Sequence, residues 1–193
     1  GNDSYNVGPG DTIIELPGEG VDRVFSITDF TLPDNVENLF LNTAGSTAVL
    51  GAGNALDNLI TGNDLPNLLQ GMAGNDTLTG GLGNDTLDGG LGIDTAIFSG
   101  SAADWTVLRT GDNAYTVTHT ASGEVDSLVD VEFVQFNAAV NVALTTGAVA
   151  VSSAAPMQGQ SLAVASTLAN SQSLTITGYQ WQSSNGLNGW SDI

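Results

Sequence analysis

Side-chain oxygens recur at a fixed interval through the middle of the chain. Asn58, Asn67, Asp76, Asp85 and Asp94 are spaced nine residues apart, and a glycine stands five residues before each of them. Carboxylate and amide oxygens are ligands that hard cations such as calcium take in proteins. The spacing therefore predicts cation sites that are built by one repeated backbone unit.

The repeated unit is a nonapeptide that occurs five times without an insertion. From residue 53 its copies are GNALDNLIT, GNDLPNLLQ, GMAGNDTLT, GGLGNDTLD and GGLGIDTAI. Glycine allows the positive backbone angles of a tight turn, and the last three residues of each copy predict a short strand with one inward aliphatic side chain. Those inward positions are Ile60, Leu69, Leu78, Leu87 and Ala96. Two copies make one coil, so alternate copies should place their turns on the same edge.

The repeats resemble the Gly-Gly-x-Gly-x-Asp-x-aliphatic-x pattern of RTX (hemolysin-type) calcium-binding proteins. The resemblance implies an all-β fold, a right-handed parallel β-roll with a β-hairpin-containing cap. It also implies Ca²⁺ as the cofactor, with each ion held between two turns of one edge by position-six side chains and backbone carbonyl groups. The function implied is a calcium-binding module of a secreted bacterial protein.

Carried onto this sequence, the resemblance implies three calcium sites in the roll. The first comprises Met72, Gly74, Asp76, Gly89, Leu91 and Asp94. The second comprises Asn63, Leu65, Asn67, Gly80, Leu82 and Asp85. The third comprises Asn54, Leu56, Asn58, Gly71, Ala73 and Asp76. The last two depart from the pattern, because asparagine replaces aspartate and leucine replaces the fourth-position glycine. They should bind calcium more weakly, or be empty of metal and closed by side-chain amide hydrogen bonds.

Calcium should be part of the fold. One coil orders eighteen residues, yet only two aliphatic side chains enter its core. That burial does not offset the lost backbone entropy, and stacked carboxylates repel one another. A bound ion removes the repulsion and closes the turns, so binding free energy becomes folding free energy.

The N-terminal flank, residues 1–52, reads as a degenerate form of the same repeat. GNDSYNV and GVDRV share one frame, in which Asp3 and Asp22 take the ligand position. Asp11 and Glu15 lie between them as further metal ligands, although all four acids could be solvated turn residues. The nonapeptide roll is assigned to residues 53–97. Because GNDSY reads as the tail of a repeat, we expect the chain to be a fragment of a longer protein.

The C-terminal part loses the period after Ile97. WTVLR and AYTVTH alternate around a turn at 110–113 and predict a β-hairpin, and SLVDVEFVQF predicts one further strand with Val131, Phe133 and Phe136 in the core. Together they make a cap over residues 98–147, because a solenoid needs its open sheet edge covered. Residues 148–156 read as a linker. Residues 157–193 are similar to the first half of bacterial immunoglobulin-like repeats.

The composition excludes several functions. Two basic residues against 21 acidic ones give a formal net charge of -19, which disfavours nucleic acid and anionic membrane surfaces as partners. The absence of cysteine excludes disulfides and thiolate metal sites. No run of apolar residues reaches the length of a membrane span, and no signal peptide opens the chain. His119 is interpreted as a surface or packing residue and Trp105 as cap core, and Arg23 and Arg109 as members of local ion pairs.

Three functions remain open from the sequence. The first is a calcium-binding module that folds after export, which the family resemblance extends to type I secretion into the extracellular space. The second is a spacer or assembly unit of a surface layer or adhesin, with self-association or a cell-surface partner. The third is the accessory part of a secreted enzyme such as a protease, glycan epimerase or haem peroxidase. The chain itself shows no catalytic constellation, so it is not predicted to be an enzyme.

Overall fold

The computed structural model describes residues 1–136 and 140–144, together with the segments 151–152, 167–168, 172–173, 182–184 and 190–192. The strands before the cap are β1 Ser4–Val7, β2 Arg23–Ser26, β3 Phe30–Thr31, β4 Asn38–Leu41, β5 Leu50–Ala52, β6 Leu59–Thr61, β7 Leu68–Gln70, β8 Thr77–Thr79, β9 Thr86–Asp88 and β10 Thr95–Phe98. The later strands are β11 Trp105–Gly111, β12 Ala114–His119, β13 Val125–Val129, β14 Phe133–Phe136, β15 Val140–Ala143, β16 Val151–Ser152, β17 Thr167–Leu168, β18 Gln172–Ser173, β19 Gln182–Ser184 and β20 Trp190–Asp192. A 3₁₀ turn at Ala102–Asp104 is the one helical element of this part of the chain.

The structure has two main sheets, and from β2 to β10 successive strands alternate between them. The first has the order β1-β2-β4-β6-β8-β10-β14-β15-β16, and the second has the order β11-β12-β13-β9-β7-β5-β3. From β1 to β10 every pairing is parallel and joins strands one coil apart, as in Leu59↔Thr77 and Leu68↔Thr86. The chain is therefore an all-β parallel solenoid, which confirms the predicted β-roll.

The core is a column of aliphatic side chains between the two sheets. Ile60, Leu69, Leu78, Leu87 and Ala96 are each 0% exposed, which confirms the inward positions predicted from the repeat. The three-residue strands of the nonapeptides bury only their central side chain, so neighbouring residues such as Thr77 and Thr79 are half-buried. The column continues through the flanks with Val24 and Leu39 before it and Leu128 and Val134 after it.

The cap closes the roll with an antiparallel hairpin and a cluster of aromatic rings. β11 and β12 pair as predicted, with Trp105↔His119 at one end and a turn at Asn113, whose φ is 49°. The rings of Phe98 and Trp105 lie 4.8 Å apart, and Trp105 Nε1 donates a hydrogen bond to the Ser99 carbonyl at 2.8 Å. Trp105 is buried, which agrees with its interpretation as cap core.

The prediction of one strand over SLVDVEFVQF was wrong. The segment forms two strands, β13 in the second sheet and β14 in the first. Asp130 separates them with a φ of 47°, a left-handed conformation that no strand contains. The chain therefore passes from one sheet to the other, as it does at every turn of the roll. Val131 and Phe136 are buried as expected, whereas Phe133 is half-buried and Val134 takes the core position.

The strands of residues 1–52 pair in the same two sheets as the nonapeptides, and the domain boundaries stay predictions. The predicted linker, 148–156, and the immunoglobulin-like segment, 157–193, lie outside the described residues except for five short strands. Of the two arginines, Arg109 pairs with Asp112 at 3.2 Å, as predicted, and Arg23 forms no ion pair with a described residue. No helix of the described residues is long and apolar enough to cross a membrane.

Candidate metal centres

The position-six side chains line the two edges of the roll in register. On one edge the Asn58 N–H donates to Asp76 Oδ1 at 2.7 Å, and the Asp76 N–H donates to Asp94 Oδ1 at 2.7 Å. On the other edge the Asn67 N–H donates to Asp85 Oδ1 at 2.8 Å. All five side chains are buried. The parallel pairing thus stacks one carboxylate or amide on the next along each edge.

The three aspartates of the repeat each keep one buried oxygen without a donor. Oδ2 of Asp76, Asp85 and Asp94 has no hydrogen-bond partner. Each of these oxygens lies against the first glycine of its own turn. It is so close that a Cβ on that glycine would not fit. The carbonyl oxygen of Gly89 lies 2.5 Å from the position that a Cβ on Gly71 would take. Asp76 Oδ2 points at the same position. A carboxylate oxygen without a donor and a carbonyl oxygen that converge in this way fit a bound cation.

The raised pKa values of these carboxylates also favour a bound cation. Burial raises the pKa of Asp76 to about 6 and, on the other edge, that of Asp85 to about 6. The backbone hydrogen bonds from Asn58 and Asn67 lower these pKa values and partly oppose the burial, while neighbouring carboxylates raise them further. Burial likewise raises the pKa of Asp94. A calcium ion would supply the missing positive charge.

The first predicted site lies in one pair of facing turns. The Leu91 N–H donates to the Met72 carbonyl at 2.9 Å, and the Gly74 N–H donates to the Leu91 carbonyl at 2.9 Å. Met72 and Gly74 have positive φ values of 79° and 118°, which agrees with the tight turn expected from the repeat. The structure therefore brings all six predicted residues of this site together: Met72, Gly74, Asp76, Gly89, Leu91 and Asp94.

The asparagine turns differ from the aspartate turns in their hydrogen bonds. Asn58 Oδ1 accepts from the Asn54 N–H at 2.8 Å, and Asn54 Oδ1 accepts from the Leu56 N–H at 2.9 Å. The next asparagine turn repeats both bonds at 2.8 Å, between Asn63 and Asn67 and between Leu65 and Asn63. These are the side-chain hydrogen bonds of the metal-free alternative.

The second and third predicted sites join these asparagine turns to aspartate turns one coil on. The Asn54 carbonyl accepts from the Ala73 N–H at 3.3 Å, and the Leu56 carbonyl faces Gly74. On the other edge the carbonyl groups of Asn63 and Leu65 face Gly81 and Gly83. The remaining predicted residues, Gly71, Gly80 and Leu82, stand in these aspartate turns. Whether calcium binds there stays a prediction.

At the N-terminal end the structure brings together three of the four predicted acids. One carboxylate oxygen each of Asp3, Glu15 and Asp22 lies within 4.8 Å of the others, and the buried Asp22 Oδ2 has no hydrogen-bond partner. Asp11 is not part of the group, because its Oδ2 accepts from the Gly8 N–H at 2.9 Å in a local turn. The Tyr5 hydroxyl donates to Glu15 at 2.8 Å, and this bond raises the pKa of Tyr5 to about 12.

Two acids of the cap continue the two edges, and neither of them was predicted as a site residue from the sequence. The Asp85 N–H donates to Asp126 Oδ1 at 2.7 Å, and the Asp94 N–H donates to Glu132 Oε2 at 2.7 Å. Both acids stand two residues before a buried aliphatic side chain, Leu128 or Val134, as in positions six and eight of the nonapeptide. That spacing could have identified both acids from the sequence.

Comparison with known proteins identifies the repeats. The family described as RTX calcium-binding nonapeptide repeat, in four copies, matches residues 61–96. These residues are RTX repeats. RTX repeats bind Ca²⁺, so calcium is the cofactor of this module, and they are typical of secreted proteins. Comparison with curated protein sequences gives no significant match.

The fold is also similar to that of a solved structure. The extracellular lipase LipA from Serratia marcescens matches with a TM-score of 0.52 and 13% sequence identity. The match covers 67% of this chain and 23% of the lipase chain. At this identity the likeness shows the β-roll fold and nothing of the activity.

Proposed function

We propose that this chain is a calcium-dependent folding module of a secreted bacterial protein, which stays unfolded at low calcium and folds after export. The proposal extends the RTX assignment from calcium binding to folding. The observation that carries it is the set of buried carboxylate oxygens without a donor on Asp76, Asp85 and Asp94. Leaving such oxygens unpaired is costly, and in a metal-free chain this cost opposes folding.

Calcium would act here by neutralising charge and by joining turns one coil apart. In the first site Asp76 and Asp94 would supply carboxylate oxygens, and Met72, Gly74, Gly89 and Leu91 would supply carbonyl oxygens. These groups belong to two different coils, so an ion held by both would oppose their separation. Calcium in the extracellular medium is abundant compared with the cytosol, which makes the ion a suitable signal for folding outside the cell.

Circular dichroism in chelator and in millimolar calcium tests the proposal. The wild-type chain should lose most of its β signal in chelator and regain it when calcium is added. The double variant Asp76→Asn/Asp94→Asn should need about tenfold more calcium for folding, because two carboxylates of one site are removed. Equal strand content with and without chelator in the wild-type chain would contradict the proposal.

A matched control separates site chemistry from net charge. Asp34→Asn/Asp64→Asn also removes two negative charges, but both side chains are exposed and form no hydrogen bond or ion pair with a described residue. Its calcium midpoint should stay within about twofold of the wild type, since exposed charges are screened by water and salt. If both double variants shift the midpoint equally, general charge repulsion rather than ligation governs folding.

A second candidate function is the accessory part of a larger secreted enzyme. The solved structure with a similar fold is an extracellular lipase, of which this chain covers 23%, and a spacer or assembly unit is the other alternative. In that case the module should stay monomeric with calcium, and the gene should encode a catalytic domain in the same protein. Calcium-dependent self-association on size-exclusion chromatography would favour the assembly unit instead.

A further inference from the structure

Three acidic side chains from distant parts of the sequence meet where the cap joins the roll. Asp85 belongs to the fourth nonapeptide, whereas Glu124 and Asp126 belong to the cap. One carboxylate oxygen from each residue lies within 4.8 Å of the other two. Glu124 and Asp126 are not part of the three sites that the repeat predicts.

The cap residues take the places of a missing nonapeptide turn. Strand β13 pairs in parallel with β9, with Ser127↔Thr86 and Leu128↔Leu87 in register. Asp126 therefore stands one coil above Asp85, at the position-six place, and Glu124 stands at the position-four place, where the aspartate repeats have glycine. The Asn84 side chain accepts from the Val125 N–H at 2.9 Å and fixes this register from the roll.

The carboxylates at this junction lack a positive partner. Asp85 and Asp126 are 2% and 3% exposed, and Asp85 Oδ2 has no hydrogen-bond partner. Oε1 of Glu124 is likewise shielded from solvent and without a donor. The chain has only two basic side chains, of which Arg109 is paired with Asp112 and Arg23 lies on β2 at the other end of the roll.

We propose that Asp85, Glu124 and Asp126 form a calcium site that locks the cap onto the roll. Three converging carboxylates, two of them carrying a solvent-shielded oxygen without a donor, match the oxygen ligands of a hard divalent cation. Calcium accepts six to eight oxygens in irregular geometry, so backbone carbonyl groups and water complete its shell. The site rests on the proposed function only in taking calcium as the ion.

Counting ions by native mass spectrometry tests this site on the full chain. Glu124→Gln removes one carboxylate without removing a hydrogen bond between described residues. It should weaken the binding of one calcium ion by about tenfold. Glu124→Gln/Asp126→Asn keeps an oxygen that can accept from the Asp85 N–H, and it should bind one ion fewer than the wild type. The control Asp34→Asn/Asp64→Asn should bind the wild-type number.

Hydrogen exchange supplies a second readout. In calcium the amides of β13 should lose protection in the double variant, while those of β8 keep it. A double variant with the wild-type ion count and wild-type protection of β13 would overturn the cap site. If the wild-type chain binds no calcium, the proposed function fails as well. If Asp76→Asn/Asp94→Asn loses an ion and the cap variants lose none, only the cap site fails.

Discussion

The asparagine turns and the aspartate turns of the roll satisfy their side chains in two different ways. In the turns at 54–58 and 63–67 the position-six amide accepts from the backbone of its own turn, and its Nδ2 donates to carbonyl groups of the preceding coil. In the turns at 72–76, 81–85 and 90–94 the corresponding carboxylate keeps a buried oxygen without a donor. The amide can both donate and accept, so it replaces an ion with hydrogen bonds.

The backbone follows the same division. In the aspartate turns positions two and four have positive φ values, which glycine takes at five of the six places. In the asparagine turns these positions are Asn54, Leu56, Asn63 and Leu65, none of which has a positive φ. We infer that dependence on calcium increases along the roll, from turns that close themselves to turns that need an ion.

Removal of calcium should give the largest difference between the two kinds of turn. At free calcium a hundredfold above Kd, each ion stabilises the folded chain by about 2.7 kcal/mol, which corresponds to about a hundredfold in amide protection. Lowering free calcium from that level toward Kd should therefore reduce protection in β9 and β10 by a larger factor than in β4 and β5, measured by hydrogen exchange. Equal losses in all four strands would contradict a graded roll and indicate one cooperative unit.

A methyl group at position four should break an aspartate turn next most strongly. Gly92 has a φ of 149°, and a Cβ there would meet the carbonyl oxygen of Gly74 in the facing turn. Gly92→Ala should lower the free energy of unfolding in calcium by about 3 kcal/mol or more, measured by urea denaturation.

The matched control for Gly92 is Gly18, which also has a positive φ, 79°, but has no atom within 4 Å of a Cβ. Gly18→Ala should cost only the intrinsic strain of the left-handed conformation, about 1–2 kcal/mol. If the two variants are equally stable, the close approach of the turns at Gly92 does not contribute to the free energy of unfolding.

The sequence predicted those features that depend on the nine-residue period. Glycine at position one, an oxygen at position six and the aliphatic at position eight recur visibly, so the roll, its core column and its two edges followed. Asp126 and Glu132 continue the edges but stand 41 and 38 residues after their partners rather than 18, because the hairpin intervenes. Only the tertiary pairing of β13 and β14 shows that they are in register.

A smaller effect is expected from pH in the metal-free chain. Burial raises the pKa of Asp76 and Asp85 to about 6 and that of Asp126 to about 7. The folded state therefore takes up protons that the unfolded state, with ordinary carboxyl pKa values, does not. The stabilising contribution of protonation should be complete below pH 4 and be lost as the pH rises through 6 to 7.

Because the metal-free chain is expected to be largely unfolded, its residual β signal by circular dichroism at pH 5 and at pH 8 measures this contribution. Stability should be higher at pH 5, by at most about 1.4 kcal/mol per pH unit for each proton taken up. In saturating calcium the sign should reverse, since protons compete with the ion for the same oxygens. A metal-free chain that is more stable at pH 8 would show that these carboxylates are not buried without a partner.

The smallest effect should come from Met72, which is the one residue other than glycine at positions two and four of the aspartate turns. Met72 has a φ of 79° at position two, where the other aspartate turns have Gly81 and Gly90. Met72→Gly relieves left-handed strain of about 1–2 kcal/mol but adds backbone entropy to the unfolded chain, so a net gain of about 0.5–1 kcal/mol is expected. The comparison variant is Leu82→Gly, at an exposed turn position without a positive φ, which should instead lose about 0.5–1 kcal/mol. Changes of opposite sign in the free energy of unfolding, measured by urea denaturation, would show that position two needs the left-handed backbone. The asparagine turns avoid that conformation because their side-chain amides close the turn. The same sign for both variants would contradict this difference between the two turns.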